Sequence, residues 1–133
     1  MEKQILLVDD EKSVLHVLKT VFNRSGYAPR CAADGNEALE IVKRDHVRVC
    51  FVDLRMPGMD GMELCRQIKQ LEPSASVFAL SAFVDAHTPE QYQEAGFDGC
   101  FRKPFQVDAL LKAAQEAFQK MKTPGKQPGS ASP

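Results

Sequence analysis

Residues 49–61, V-C-F-V-D-L-R-M-P-G-M-D-G, constrain this chain more than any other stretch. An apolar, β-branched and aromatic run carries one carboxylate, Asp53, near its end, and a Met-Pro-Gly turn follows. A run of that kind, apolar without alternation, reads as a strand buried on both faces, as in a parallel sheet. An acid at the carboxyl end of such a strand lies on the rim where open α/β sheets gather their ligand chemistry. An Asp that merely caps the next turn would leave the same local pattern. The decision therefore rests on what other strands bring to the same rim.

Residues 4–8 (Q-I-L-L-V) predict a short strand ending in Asp9-Asp10. Val14, Val17, Leu18, Val21 and Phe22 follow at helical spacing and close at Ser25-Gly26. Residues 28–32 form a weak strand whose Pro29 lacks a ladder donor, which assigns it to a sheet edge. Asp34-x-x-Glu37 and Asp60-x-x-Glu63 are capping-box patterns opening two helices, the second with Met62, Cys65, Ile68 and Leu71 inward. Between them, residues 47–54 are the central strand, and Pro73 terminates the second helix.

Residues 76–81 predict a fourth strand, and Thr88-Pro89-Glu90-Gln91 opens a short polar helix with few apolar anchors, expected to be the most mobile. Residues 99–103 predict a fifth strand. Val107, Leu110, Leu111, Ala114, Ala117, Phe118 and Met121 pattern a final helix. Strand and helix thus alternate throughout, which implies an α/β fold with a five-stranded parallel sheet covered on both faces. Residues 1–122 form one domain; the Pro/Gly/Ser-rich residues 123–133 cannot bury a core and read as a flexible tail or linker.

Composition closes off several classes. A chain of 133 residues with 44% hydrophobic content supports one unstapled core, and a formal charge of −1 gives no general attraction to nucleic acid or membrane. With no apolar segment of spanning length and no signal-peptide pattern, a cytoplasmic location is expected. Cys31, Cys50, Cys65 and Cys100 show no C-x-x-C spacing and are expected to be buried free thiols.

The chemistry emerges when the strand ends are aligned. A sheet order of 2-1-3-4-5 makes contiguous the strands ending in Asp9-Asp10, Asp53, Ser81 and Lys103, with the switch point between strands one and three. Three carboxylates that close would force one to stay protonated unless a cation joined them. All-oxygen, hard donors favour Mg²⁺. A lysine and a hydroxyl opposite the metal suit a tetrahedral anion, and a carboxylate can accept a phosphoryl group as an acyl phosphate.

With these motifs, residues 3–121 resemble the receiver domain of two-component response regulators (CheY-like, a flavodoxin-like (βα)5 fold). The resemblance rests on Asp9-Asp10, the run around Asp53, Ser81-Ala82, and Lys103-Pro104-Phe105. It implies that Asp53 accepts a phosphoryl group from a histidine kinase or phosphotransfer protein. It also implies that Asp10 binds Mg²⁺ directly, Asp9 largely through water, and Arg55 through its backbone carbonyl. Lys103 would pair with the phosphoryl oxygens, and the Lys103-Pro104 peptide would be cis. Ser81 would bond the phosphoryl group and, with Phe101 as the switch aromatic, move residues 82–87 and the face formed by the fourth helix, fifth strand and fifth helix. Arg55 and Phe83 overhang the cleft and are expected to influence phosphoryl lifetime. The implied partners are the phosphodonor and a downstream effector or output domain, with homodimerisation a possibility on activation and no direct nucleic-acid or membrane binding. Such a domain promotes its own phosphorylation and dephosphorylation without being a turnover enzyme.

Rival classes fit less well. A haloacid-dehalogenase-type phosphatase needs D-x-D after its first strand, an FMN carrier needs a Ser/Thr/Gly-rich phosphate loop there, and a P-loop NTPase needs G-x-x-x-x-G-K; none is present. A phosphorylation-independent pseudo-receiver scaffold is the structural rival, yet every site residue is in place.

Overall fold

A computed structural model describes residues 3–82 and 88–122. Five strands, β1 (Gln4–Val8), β2 (Ala28–Ala32), β3 (Val49–Asp53), β4 (Ser76–Ser81) and β5 (Gly99–Arg102), alternate with five helices. These are α1 (Lys12–Arg24), α2 (Gly35–Asp45), α3 (Gly61–Leu71), α4 (Pro89–Ala95) and α5 (Val107–Lys122). All pairings are parallel, in the order β2-β1-β3-β4-β5. The central strand is shorter than residues 47–54: His46 caps α2 with a left-handed φ of 53°, so the chain enters β3 only at Val49.

Side chains alternate across each strand and build two cores. Leu6, Val8, Cys50, Val52, Val77 and Ala79 pack under α2 and α3; Ile5, Leu7, Phe51 and Leu80 pack under α1 and α5. Phe51 is fully buried, with its ring 5.4 Å from Phe22 and 5.0 Å from Phe78. Burying such a ring favours the folded state by roughly 1.5–3 kcal/mol before the aromatic contacts are added.

Two helical stripes are rotated from their predicted positions. In α1 the buried residues are Leu15, Leu18 and Phe22, while Val17 is 54% exposed. In α3, Leu64 joins Met62, Cys65 and Ile68 inside, and Leu71, in the last turn, is 40% exposed. Both positions lie at the margin of an apolar arc, where the sheet's orientation decides which side faces in. The cysteines also divide: Cys50 and Cys65 are buried thiols, but Cys31 is half-buried and Cys100 exposed, because β2 and β5 are edge strands.

Local capping explains where the helices begin. Asp34 accepts from the Glu37 N–H at 2.8 Å and Asp60 from the Glu63 N–H at 2.9 Å. The box is not closed in α2, where Glu37 Oε1 takes the Ala33 N–H instead. At α4 the Thr88–Gln91 box is complete. The tail at 123–133 and the loop residues 83–87, including Phe83, lie outside the described residues.

Candidate functional site

Four parallel strands end on one rim, and each delivers a polar residue there. Asp9 follows β1 and is fully buried; Asp53 closes β3 at 5% exposure; Ser81 closes β4 at 4%; Lys103 follows β5. Backbone bonds hold these ends in step: Leu54 N–H to Leu80 O at 3.0 Å, and Lys103 N–H to Ser81 O at 2.7 Å. Gly61 lets α3 begin directly against the end of β3. A Cβ there would lie 2.5 Å from the Asp53 carbonyl oxygen.

Lys103 Nζ is the hub. It donates to Asp9 Oδ2 at 2.8 Å and lies 3.7 Å from Asp53 Oδ1 and 3.4 Å from Glu11 Oε1. Asp9 Oδ1 accepts the Glu11 N–H at 3.0 Å, so both Asp9 oxygens are engaged. The residue that caps α1 is Glu11, without a side-chain bond. Asp10 is exposed and makes no hydrogen bond or ion pair among the described residues.

Electrostatics follow from this crowding. Burial, then the neighbouring Asp9 charge, push the Asp53 carboxyl up to about 6, against the pull of Lys103 and the Arg55 N–H. For Lys103, burial opposes the charge, but the hydrogen bond to Asp9 and the charges of Asp9 and Asp53 hold it above its ordinary value. The site thus holds more buried negative charge than its lysine balances.

The donor set suits a hard divalent cation. One carboxylate oxygen from each of Asp9, Asp10 and Asp53 lies within 4.8 Å of the others, two residues buried and one open to solvent. Oxygen-only donors on a partly open cleft match the preference of Mg²⁺, which retains waters and coordinates substrate oxygens as well. Arg55 is exposed and its N–H reaches Asp53 Oδ1 at 3.3 Å. The Lys103-Pro104 peptide is cis. Phe101 is half-buried, its ring 6.3 Å from Phe51 and 6.0 Å from Phe78.

Two features escaped sequence reading. The first is Glu11; an acid rather than a Ser, Thr, Asp or Asn at a helix cap was the signal. The second is an apolar groove of about 330 Å³ beside Lys103, between α1 and the β5–α5 connection, lined by Val14, Val17, Leu18, Pro104, Phe105 and Val107. It accounts for the exposed Val17.

Comparison with known proteins agrees with this geometry. Residues 5–115 match the model of the response regulator receiver domain. The chain is 32% identical over 116 residues to sporulation initiation phosphotransferase F of Bacillus subtilis, covering 87% of this chain and 94% of that one. It is 33% identical to regulatory protein AtoC of Escherichia coli over 87% of its own length but only 25% of AtoC. The chain spans about half the length of the mycobacterial response regulators MprA that it also matches. Among solved structures, a CheY-like receiver domain protein from Methanospirillum hungatei superposes with a TM-score of 0.88 at 25% identity, covering 94% of this chain and all of that one.

Proposed function

The chain belongs to the response regulator receiver family of two-component systems, and from that membership we propose that it is a phosphoacceptor switch in which Asp53 takes a phosphoryl group from a histidine kinase or phosphotransfer protein. Receivers of this family pair with kinases and output domains and are generally not turnover enzymes. The observation that carries the reading is the rim itself: a buried carboxylate at a strand end, 3.7 Å from a lysine shared with a second buried carboxylate.

In the transfer, an Asp53 oxygen bonds to phosphorus as the phosphohistidine P–N bond breaks, and the electron pair leaves with the imidazole nitrogen. Lys103 exchanges its Asp53 contact for a phosphoryl oxygen, and the Ser81 hydroxyl takes another. Asp9, Asp10, Asp53 and the Arg55 carbonyl would hold Mg²⁺, which when bound offsets the charge gathered on the phosphoryl oxygens. The buried rim limits water around the acyl phosphate until hydrolysis returns Asp53.

The product adds roughly two negative charges at the rim. Ser81 moves toward them, and Phe101 repacks against Phe51 and Phe78, so the α4–β5–α5 face biases between two arrangements recognised by an effector or output domain. No described helix is long and apolar enough to cross a membrane, and we place the domain's action in the cytoplasm.

The test is labelling with acetyl phosphate, followed by intact mass, on wild type and Asp53→Asn. A phosphate-sized gain that needs Mg²⁺ and vanishes in the variant supports the reading. A folded protein that gains nothing with Mg²⁺ present would point instead to a phosphorylation-independent scaffold.

A further inference from the structure

Glu11 caps α1 but contributes nothing to it with its side chain. A Glu at that position lacks the short reach with which Ser, Thr, Asp or Asn satisfies the first helical N–H groups. Its backbone N–H instead steadies Asp9 Oδ1 at 3.0 Å, and its side chain turns back so that Oε1 lies 3.4 Å from Lys103 Nζ. The three carboxylates around that ammonium differ in depth: side-chain exposure is 0% for Asp9, 7% for Asp53 and 62% for Glu11. Glu11 is therefore the outermost charge, standing on the solvent side of the lysine that a phosphoryl group must recruit.

We propose that the Glu11 carboxylate is a specificity-determining residue that selects phosphodonors by charge, disfavouring small dianions at the mouth of the site. This rests on the phosphoacceptor reading above. A small dianionic donor meets Glu11 with no counter-charge of its own and competes with it for Lys103. A protein donor can set a cation against Glu11 when the two surfaces meet. Because an exposed ion pair adds little to folding, the charge can be removed without harm to the fold.

Glu11→Gln keeps the shape and deletes the charge. Labelling rates are compared for acetyl phosphate, a dianion near neutral pH, and phosphoramidate, which carries one net negative charge there. At low ionic strength the variant should gain about three- to tenfold with acetyl phosphate and about two- to threefold with phosphoramidate, as a unit charge some 7 Å away dictates. The difference should shrink in 0.5 M salt, where screening acts within a few ångströms. Circular dichroism melts check that both proteins are equally folded. A merely structural role would move both donors by one factor at all salt concentrations, and that result, or no change, overturns the assignment to Glu11 while the phosphoacceptor reading stands. Absence of labelling of either protein by either donor would overturn that reading, and this inference with it.

Discussion

The two ends of β5 each carry a lysine–aspartate pair, and they are built on opposite principles. At the amino end, Lys69 Nζ meets Asp98 Oδ2 at 3.0 Å, and the same oxygen accepts the N–H of buried Val77 at 2.8 Å. One cation faces one anion, and the anion also satisfies a backbone donor. At the carboxyl end, Lys103 faces three acids among the described residues, Asp9, Glu11 and Asp53. The first arrangement is closed and ties α3 to the sheet. The second has negative charge to spare, which a proton on Asp53 or a bound cation can offset. Imbalance, rather than the presence of an ion pair, separates the site from the scaffold.

The largest contrast is expected from the two lysines. Lys103→Met should slow acetyl phosphate labelling by about a hundredfold or more, because the fixed cation facing the transferred oxygens is lost. Lys69→Met should leave the rate within about twofold and cost about 1 kcal/mol or less in urea melts. Equal rates in the two variants would erase the distinction.

Next comes the close approach that holds Asp53 at the rim. Gly61→Ala puts a methyl group against backbone atoms of Asp53 and Leu54, which cannot yield as a flexible side chain would. A loss of about 2–4 kcal/mol in unfolding free energy is expected.

Removing an acid should have opposite signs at the two ends. Without divalent cations at pH 7, Asp53→Asn should stabilise the fold by about 1–3 kcal/mol, since it removes a buried, crowded charge. The pH dependence follows from the raised carboxyl of Asp53, near 6. Between its unfolded value of about 4 and that folded value, the native state holds a proton the unfolded chain has lost, so wild type loses stability as pH rises through 6. The advantage of Asp53→Asn in thermal melts with EDTA should therefore grow from pH 4 to 7. Asp98→Ala should instead destabilise by about 1–3 kcal/mol, leaving the buried Val77 N–H without its acceptor. A shared sign would contradict the comparison.

The smallest effect belongs to the helix before β5. Thr88→Ala opens the capping box of α4 and should cost about 1 kcal/mol or less, read as faster amide exchange in residues 89–95 with the labelling rate unchanged.

Much of this molecule was legible in its sequence because the relevant physics is local. β1, β2 and β4 begin and end where residue type and turn signals place them. Asp34, Asp60 and Thr88 cap helices through bonds that span three residues. Pro29 placed β2 at an edge, and β2-β1-β3-β4-β5 is the order that makes contiguous the strands bringing Asp9, Asp53, Ser81 and Lys103 to one rim.

Contacts between residues far apart in the chain lay beyond it. Lys103 and Asp9 are 94 positions apart, and only the folded chain divides one ammonium among three carboxylates. Val17 and Leu71 have the right residue type for a core and the right spacing, yet face outward. A helix's apolar arc is set by its sequence, but its rotation against the sheet is set by how both surfaces pack. For the same reason the Glu11 side chain reads as a solvated surface group until α1 and the end of β5 are brought together. Periodicity and capping determined the elements and their order; the balance of charge at the rim was decided by tertiary structure, because Coulomb energy depends on distances and burial that no short stretch of chain controls.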